Sequence, residues 1–260
     1  MLFGKTLVTL LASVAIASAV AIPAPIDNTP NALVERTTKS KTKTTTTTTN
    51  PFAKIKASKA TWEKAAKLCK SGASKRSDWE EWDDDSTVHL FDTRTTSWPP
   101  KTPSGFTEVR MDQEVGERDP LGLWTYGLVT CMGVGVTGTQ TDSKKNSRFL
   151  MHLMASPSTM EKQWGNFQKL VTESGVTNME GWMSIPDTSK DVPSNWNEDD
   201  KELSDDVAEA IEGILTQLIG KAPKIVKRPM APAIAHELPH GTMQIDKNNE
   251  VEIEGTKVTQ

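Results

Sequence analysis

Three residues with the side chains needed for thiol chemistry lie close together in this 260-residue sequence. Thr125 precedes Cys131 by six residues, and His152 follows the cysteine after a predicted hairpin. An imidazole beside a thiol can take the thiol proton, and a third group that orients the imidazole completes an activated nucleophile. The pattern therefore predicts a catalytic set made of Cys131, His152 and Thr125.

Two predicted strands would bring this set together. Residues 121–139 are the most β-like stretch of the chain, residues 142–146 are typical of a hairpin turn, and Arg148 to Ala155 form the predicted returning strand. Because side chains alternate along a strand, we expect two faces on the returning strand. They consist of Phe149, Met151 and Leu153 on one side, and of Leu150, His152 and Met154 on the other.

The rest of the C-terminal region alternates between helical and strand patterns. The predicted elements are a helix capped by Ser156 or Ser158, a strand at 180–185, a helix from a Ser204 cap to Gly220, a strand at 224–227, and a hairpin of 242–245 with 251–253. A further strand is predicted at 87–91. Together these elements predict an α+β domain built in layers.

The N-terminus predicts export. Lys5 is followed by an apolar run over residues 6–17 and by the small residues Ala17-Ser18-Ala19, which is the anatomy of a secretory signal peptide. The apolar run is shorter than the roughly 20 residues that span a bilayer. We therefore expect residues 1–19 to be a signal peptide, and the product to be extracellular with no membrane association after cleavage.

Residues 20–76 are predicted to be a Thr- and Lys-rich prosegment. Residues 22–51 are rich in Pro, Thr and Lys and would bury little apolar surface, which predicts disorder, whereas residues 56–70 are typical of one short helix. Lys75-Arg76 is a candidate site for a dibasic processing protease, as in fungal secretory precursors. The alternative is a chance pair on a solvated loop.

Charge also divides the chain near this point. Residues 20–76 carry 12 Lys and Arg against 3 Asp and Glu, whereas residues 77–260 carry 17 against 31. An acidic domain argues against nucleic acid as a partner, and the basic prosegment could dock on it. Residues 77–260 are long enough for a single secreted domain with its own core.

The two cysteines, Cys69 and Cys131, leave two alternatives open. An even number of cysteines in a secreted protein is typical of a disulfide. If the chain is cut after Arg76, however, Cys69 leaves with the released piece unless a bridge tethers it. Cys131 would then be the only thiol of the domain, and such a thiol needs either burial or reactivity. A Cys69–Cys131 disulfide in the secreted protein would exclude catalysis by Cys131.

The layout of residues 121–256 resembles the chemoreceptor glutamine deamidase CheD and the cytotoxic necrotizing factor-like deamidases. The resemblance is carried by Thr125 and Cys131 with their spacing, by His152 beyond the hairpin, and by the C-terminal hairpin at 241–254. The segments LVTCMGV and FLMHL are similar to the cysteine and histidine strands of that superfamily. Val129-Thr130 stand where the bacterial family has Gly-Ser, and the hairpin here is longer.

The resemblance implies an α/β/β/α sandwich and a thiol-dependent protein-glutamine deamidase that needs no cofactor. Cys131 would attack the side-chain amide, and His152 would take the thiol proton and pass one to the departing ammonia. Thr125 would orient the imidazole, and backbone N–H groups would hold the oxyanion. The partner would be a protein substrate. The alternative with the same fold is a catalytically inactive secreted effector that binds a protein partner.

A competing motif lies near the C-terminus. His236-Glu237-Leu238-Pro239-His240 matches H-E-x-x-H, the zinc metallopeptidase signature, which requires both histidines on one helix. Pro239 would break that helix, since it removes a backbone N–H and clashes with the preceding turn. We therefore expect a loop here, and a zinc peptidase with His236 and His240 as ligands is a disfavoured third alternative. The sequence predicts no metal site.

Overall fold

The computed structural model describes residues 51–73 and 98–259. All of them fall within one compact unit of the chain. The predicted signal peptide, the Lys75-Arg76 pair, the domain boundary after it and the strand at 87–91 lie outside the described residues. No helix in the described part is long and apolar enough to cross a membrane.

The described residues form three α-helices and ten β-strands. In chain order these are α1 (Lys59–Ala73), β1 (Phe106–Glu108), β2 (Gln113–Glu117), β3 (Gly122–Thr125), β4 (Met132–Thr139), β5 (Arg148–Leu153), α2 (Pro157–Ser174), β6 (Thr177–Asp187), α3 (Glu198–Ile219), β7 (Lys224–Pro229), β8 (Met243–Ile245), β9 (Val251–Ile253) and β10 (Thr256–Val258). Short 3₁₀ helices occupy Pro51–Lys54 and Pro232–Ile234.

The strands make two five-stranded sheets. One sheet has the order β1-β3-β8-β9-β10, and the other has the order β2-β5-β4-β6-β7. The β1–β3 and β6–β7 pairs are parallel and the other pairs are antiparallel. The predicted α+β class is therefore confirmed, and the four-layer sandwich stays a prediction.

Strand β5 separates two hydrophobic cores. Phe149, Met151 and Leu153 pack with residues of α2 and α3 on one face of their sheet. Leu150 and Met154 point the other way and pack with residues of β3, β8 and β9 from the second sheet. This alternation was predicted from the sequence and is confirmed, because a strand covered on both sides has to present apolar side chains on both faces.

Two glycines of β4 let the sheets approach each other closely. A Cβ at Gly133 would lie 2.8 Å from Met243 Sδ, and one at Gly135 would lie 2.8 Å from Met243 Cε. Carbon and sulfur do not pack at that distance, so a larger residue at either position would force the Met243 side chain of β8 to move. Gly133 lies two residues beyond Cys131, and the close approach therefore occurs beside the predicted catalytic cysteine.

Helix α3 begins earlier than the sequence predicted. The predicted cap at Ser204 is wrong, because the helix begins at Glu198 behind an Asn197 cap. The Asn197 side chain accepts a hydrogen bond from the Asp200 N–H at 3.1 Å, and Asp200 Oδ2 accepts one from the Asn197 N–H at 2.8 Å. This reciprocal pair satisfies two backbone donors at the helix start. The predicted end at Gly220 is confirmed by its left-handed backbone.

Helix α1 is a packed element of the fold, although its residues belong to the predicted prosegment. Lys64 Nζ lies 2.6 Å from Asp200 Oδ2 at the start of α3. Thr130 donates a hydrogen bond from its hydroxyl to the carbonyl oxygen of Ala65 at 3.1 Å. Ala65 and Cys69 are both buried. The predicted helix at 56–70 is thus confirmed, and it covers the segment that leads into β4.

Candidate active site

The structure brings Thr125, Cys131 and His152 together from both sheets. Thr125 is the last residue of β3 in the first sheet, whereas Cys131 directly precedes β4 and His152 lies on β5 in the second sheet. The β-like stretch 121–139 therefore divides into two strands of different sheets. Because residues 126–131 cross from one sheet to the other, Thr125 faces His152 across the gap between the sheets.

His152 is held by a buried hydrogen bond. Its Nδ1 lies 2.8 Å from Thr125 Oγ1, and neither residue is more than 1% exposed. The other ring nitrogen, Nε2, is buried without a hydrogen-bond partner. A ring nitrogen of His152 and the sulfur atoms of Cys69 and Cys131 all lie within 4.8 Å of one another. Nδ1 is engaged by Thr125, so Nε2 is the ring nitrogen that has no partner.

Cys131 is joined to Cys69 of α1 by a disulfide. The two Cα atoms are 5.1 Å apart, and both side chains are fully buried. The described residues therefore contain no free cysteine. Of the two alternatives that the sequence left open, this form has the disulfide, which excludes catalysis by Cys131 for as long as the bond is intact. In this form Cys131 has no thiolate, and Cys69 of α1 is bonded to its sulfur.

Arg228 fixes the segment that carries the cysteine. It is buried on β7 and donates to Ser184 Oγ at 3.1 Å, to the Val129 carbonyl at 2.7 Å, and to the Cys131 carbonyl. Burial lowers the pKa of Arg228 to about 9, against the opposing charge of Glu254, and the side chain stays protonated at neutral pH. Sequence reasoning missed this residue, because nothing in the pair Lys227-Arg228 marks the arginine as buried.

The electrostatics keep His152 neutral. Its burial, and then the positive charge of Arg228, lower the pKa of His152 from 6.5 to about 3. A second side chain fixes its backbone, since Gln163 Nε2 on α2 donates to the carbonyl oxygens of His152 at 2.9 Å and of Gln113 at 3.1 Å. A neutral imidazole with one free nitrogen can bind a metal ion, whereas the lowered pKa makes His152 a weak base while it stays buried.

The two histidines of the H-E-x-x-H motif do not converge on a common site. His240 Nδ1 lies 2.8 Å from Glu254 Oε1, and its Nε2 lies 3.0 Å from the Met230 carbonyl oxygen. His236 Nε2 lies 3.3 Å from the Ser71 carbonyl oxygen. The segment is a 3₁₀ helix followed by turns, which confirms the predicted loop. Both ring nitrogens of His240 therefore lie within hydrogen-bond distance of oxygen atoms of the protein.

No protein-family model matches the sequence, and no curated protein matches it. The resemblance to glutamine deamidases therefore depends on the residues of this chain alone. It stays a prediction, as do the catalytic roles of Thr125, Cys131 and His152.

Proposed function

We propose that this protein is a secreted, latent thiol amidohydrolase that deamidates glutamine side chains of proteins, with Cys131 as its nucleophile. The observation that carries the proposal is the environment of His152, whose Nδ1 is held by Thr125 while its Nε2 is buried without a partner. Leaving a buried polar group unpaired costs about 1–3 kcal/mol, and such groups call for an explanation. A thiol at Cys131 supplies the missing partner.

The hydrogen bond to Thr125 is compatible with the tautomer that the reaction needs. When Nδ1 carries the proton and donates it to Thr125 Oγ1, Nε2 presents its lone pair to the sulfur of Cys131. This arrangement matches the requirement for a general base, in which one nitrogen is oriented and the other receives the proton. Thr125 therefore acts as a positioning residue, and His152 is the group that moves protons.

The disulfide makes the described form inactive. Two molecules of a thiol reductant would convert the Cys69–Cys131 bond into two thiols and would themselves be joined in a disulfide. Once α1 has left, contact with solvent and the charge of the forming thiolate would raise the pKa of His152, and its Nε2 would take the Cys131 proton. The guanidinium of Arg228, which donates to the Cys131 carbonyl, would stabilise the negative charge on the sulfur.

The chemistry then follows in two stages. The Cys131 thiolate forms a C–S bond with the amide carbon, and the imidazolium of His152 gives its proton to the nitrogen as the C–N bond breaks and ammonia leaves. Water then attacks the carbonyl carbon of the resulting thioester, and His152 removes a proton from that water molecule. The C–S bond breaks, and the products are a glutamate side chain and the regenerated thiol.

Substrate can reach Cys131 only when α1 moves. The helix is held by the disulfide, by the Lys64–Asp200 ion pair and by the hydrogen bond from Thr130. Cleavage after Arg76, which the sequence predicts, would separate α1 from the rest of the chain but leave it attached through Cys69. Reduction would then release the helix and the nucleophile together.

Ammonia release tests the proposal. The secreted protein is cut with a dibasic-specific protease and incubated with a glutamine-rich unfolded protein, with and without reductant. We expect ammonia only from the cut and reduced protein, and none from Cys131→Ala treated in the same way. If the cut and reduced wild-type protein releases no ammonia while iodoacetamide shows its Cys131 thiol to be accessible, the proposal is wrong.

A second candidate is a secreted binding module without catalytic activity. The observation that favours it is the disulfide itself, which consumes Cys131 and ties α1 to the domain with no exposed sulfur. In that case the disulfide only stabilises the fold, and reduction would lower the stability of the protein without producing activity. The ammonia assay distinguishes the two candidates directly.

A further inference from the structure

We propose that Cys69, Cys131 and His152 form a binding site for Zn²⁺ or a similar soft divalent cation when the uncut protein is reduced. Their two sulfur atoms and one ring nitrogen lie within 4.8 Å of one another, and all three residues are buried. Among the described residues, they are a group of three His and Cys side chains that is placed to share one ion. The site does not depend on the proposed enzymatic activity.

The spacing of the ligand atoms suits a tetrahedral ion. Zn–S bonds of about 2.3 Å and Zn–N bonds of about 2.0 Å would place the two sulfurs roughly 3.8 Å apart and each sulfur about 3.5 Å from the nitrogen. These separations fall inside the present 4.8 Å cluster once the S–S bond is broken. After reduction, small rotations of the Cys69 and Cys131 side chains would move the two sulfurs apart to the spacing of a pair of metal ligands.

The unpartnered Nε2 of His152 points independently to a ligand. It belongs to a side chain that is 1% exposed, and no hydrogen-bond donor or acceptor of the protein satisfies it. Metal-bound histidines usually donate their other N–H to a second group, which fixes the ring orientation, and Thr125 Oγ1 lies at Nδ1 to do so. The imidazole is therefore oriented in advance for coordination.

The charge balance also favours a divalent cation. Two thiolates and a neutral imidazole would cancel the charge of Zn²⁺, so the buried site would carry no net charge of its own. Three protein ligands leave the fourth position for water or another small ligand. Because Cys69 lies on α1 and the other two ligands lie on the domain, the ion would clamp the helix in place of the disulfide.

Cobalt spectroscopy tests the site on the full, uncut protein. The protein is reduced anaerobically with a phosphine and titrated with Co²⁺ and then with Zn²⁺. We expect one Co²⁺ per chain, thiolate-to-cobalt charge-transfer absorption with tetrahedral ligand-field bands, their loss on addition of Zn²⁺, and a rise in Tm with either ion. Cys69→Ser and His152→Asn should abolish these bands, and the matched control His236→Asn should keep them.

Thr125→Val supplies a second readout that keeps all three ligands. It removes only the group that orients His152 and should weaken Zn²⁺ binding by about 10–100-fold. The proposal is overturned if reduced protein with two titratable thiols shows no charge-transfer band. It is equally overturned if His152→Asn or Thr125→Val leaves the affinity unchanged, or if the ion bridges two chains.

The Cys69→Ser variant separates this inference from the proposed function. It lacks one metal ligand and keeps Cys131, His152 and Thr125. Ammonia release by the cut variant, combined with no cobalt band in reduced wild-type protein, would refute the metal site alone. A cobalt band in wild-type protein, combined with no ammonia from the cut variant, would refute the deamidase alone.

Discussion

Thr125 Oγ1 lies 2.8 Å from His152 Nδ1, and this hydrogen bond joins the two sheets of the protein. Thr125 ends β3 in one sheet, and His152 lies on β5 in the other. The bond is fully buried and orients the imidazole whose second nitrogen has no partner. Stability, proton transfer and metal binding should therefore all respond to changes at this one contact.

Replacing Thr125 with valine should affect stability and activity together. The change keeps the shape of the side chain but leaves Nδ1 of His152 unpaired, which should lower the free energy of unfolding by about 1–3 kcal/mol. Deamidation by the cut and reduced protein should fall at least tenfold, because the ring loses its orientation. Urea unfolding and ammonia release measure the two effects. Thr125→Ser keeps the hydroxyl and should retain most of both.

The disulfide should contribute strongly to stability. Cys69 and Cys131 are 62 residues apart in sequence, and closing a loop of that length stabilises the folded state by about 4 kcal/mol in the chain-entropy model. Urea unfolding of the full chain with and without reductant measures the difference. A Cys69→Ser/Cys131→Ser double variant should be insensitive to reductant. Equal stability of oxidised and reduced wild-type protein would contradict the prediction.

His152 should make the oxidised protein less stable in acid. Its pKa is lowered from 6.5 to about 3, so between these values the unfolded chain binds a proton that the folded chain does not. The stability contributed by neutral His152 is complete above pH 6.5 and should be lost at about 1.4 kcal/mol per pH unit as the pH falls toward 3.

The difference between wild-type protein and His152→Asn isolates this contribution, since the other titrating groups are common to both. Denaturant unfolding at a series of pH values should show a steeper loss of stability for wild-type protein below pH 6.5. Parallel curves for the two proteins would show that His152 titrates normally in the fold.

Arg228 should not be replaceable by lysine. Its guanidinium reaches the carbonyl oxygens of Val129 and Cys131 and the hydroxyl of Ser184 at once, and an ammonium group cannot satisfy all three. We expect Arg228→Lys to lower the free energy of unfolding by about 2–4 kcal/mol. The adjacent, exposed Lys227 supplies the control, and Lys227→Met should change stability by less than about 0.5 kcal/mol. Similar effects of the two variants would argue against a positioning role for Arg228.

Local patterns predicted the parts of the fold that follow simple periodicities. The two faces of β5 and the left-handed end of α3 at Gly220 could be predicted, because side-chain alternation and glycine caps depend only on residues that are close in sequence. The start of α3 was predicted wrongly. Its first turns are acidic and look like a solvated loop in the sequence, although acidic side chains are favourable at a helix N-terminus.

Long-range contacts could not be predicted in the same way. The sequence placed Thr125, Cys131 and His152 on neighbouring elements, but their meeting depends on a crossing between sheets that no local pattern reveals. The burial of Arg228 and the docking of α1 through Cys69 are also tertiary effects. A buried arginine can have the same sequence neighbours as an exposed arginine, and a paired cysteine can have the same neighbours as a free cysteine.

Trapping the acyl intermediate tests the central claim that Cys131 attacks a glutamine side chain. Hydroxylamine added to the cut and reduced protein would compete with water for the thioester and convert the substrate glutamine into a glutamyl hydroxamate, which peptide mass spectrometry detects. We predict hydroxamate at glutamine positions with wild-type protein and none with Cys131→Ala. Absence of hydroxamate with wild-type protein, or equal amounts with both proteins, would contradict the account.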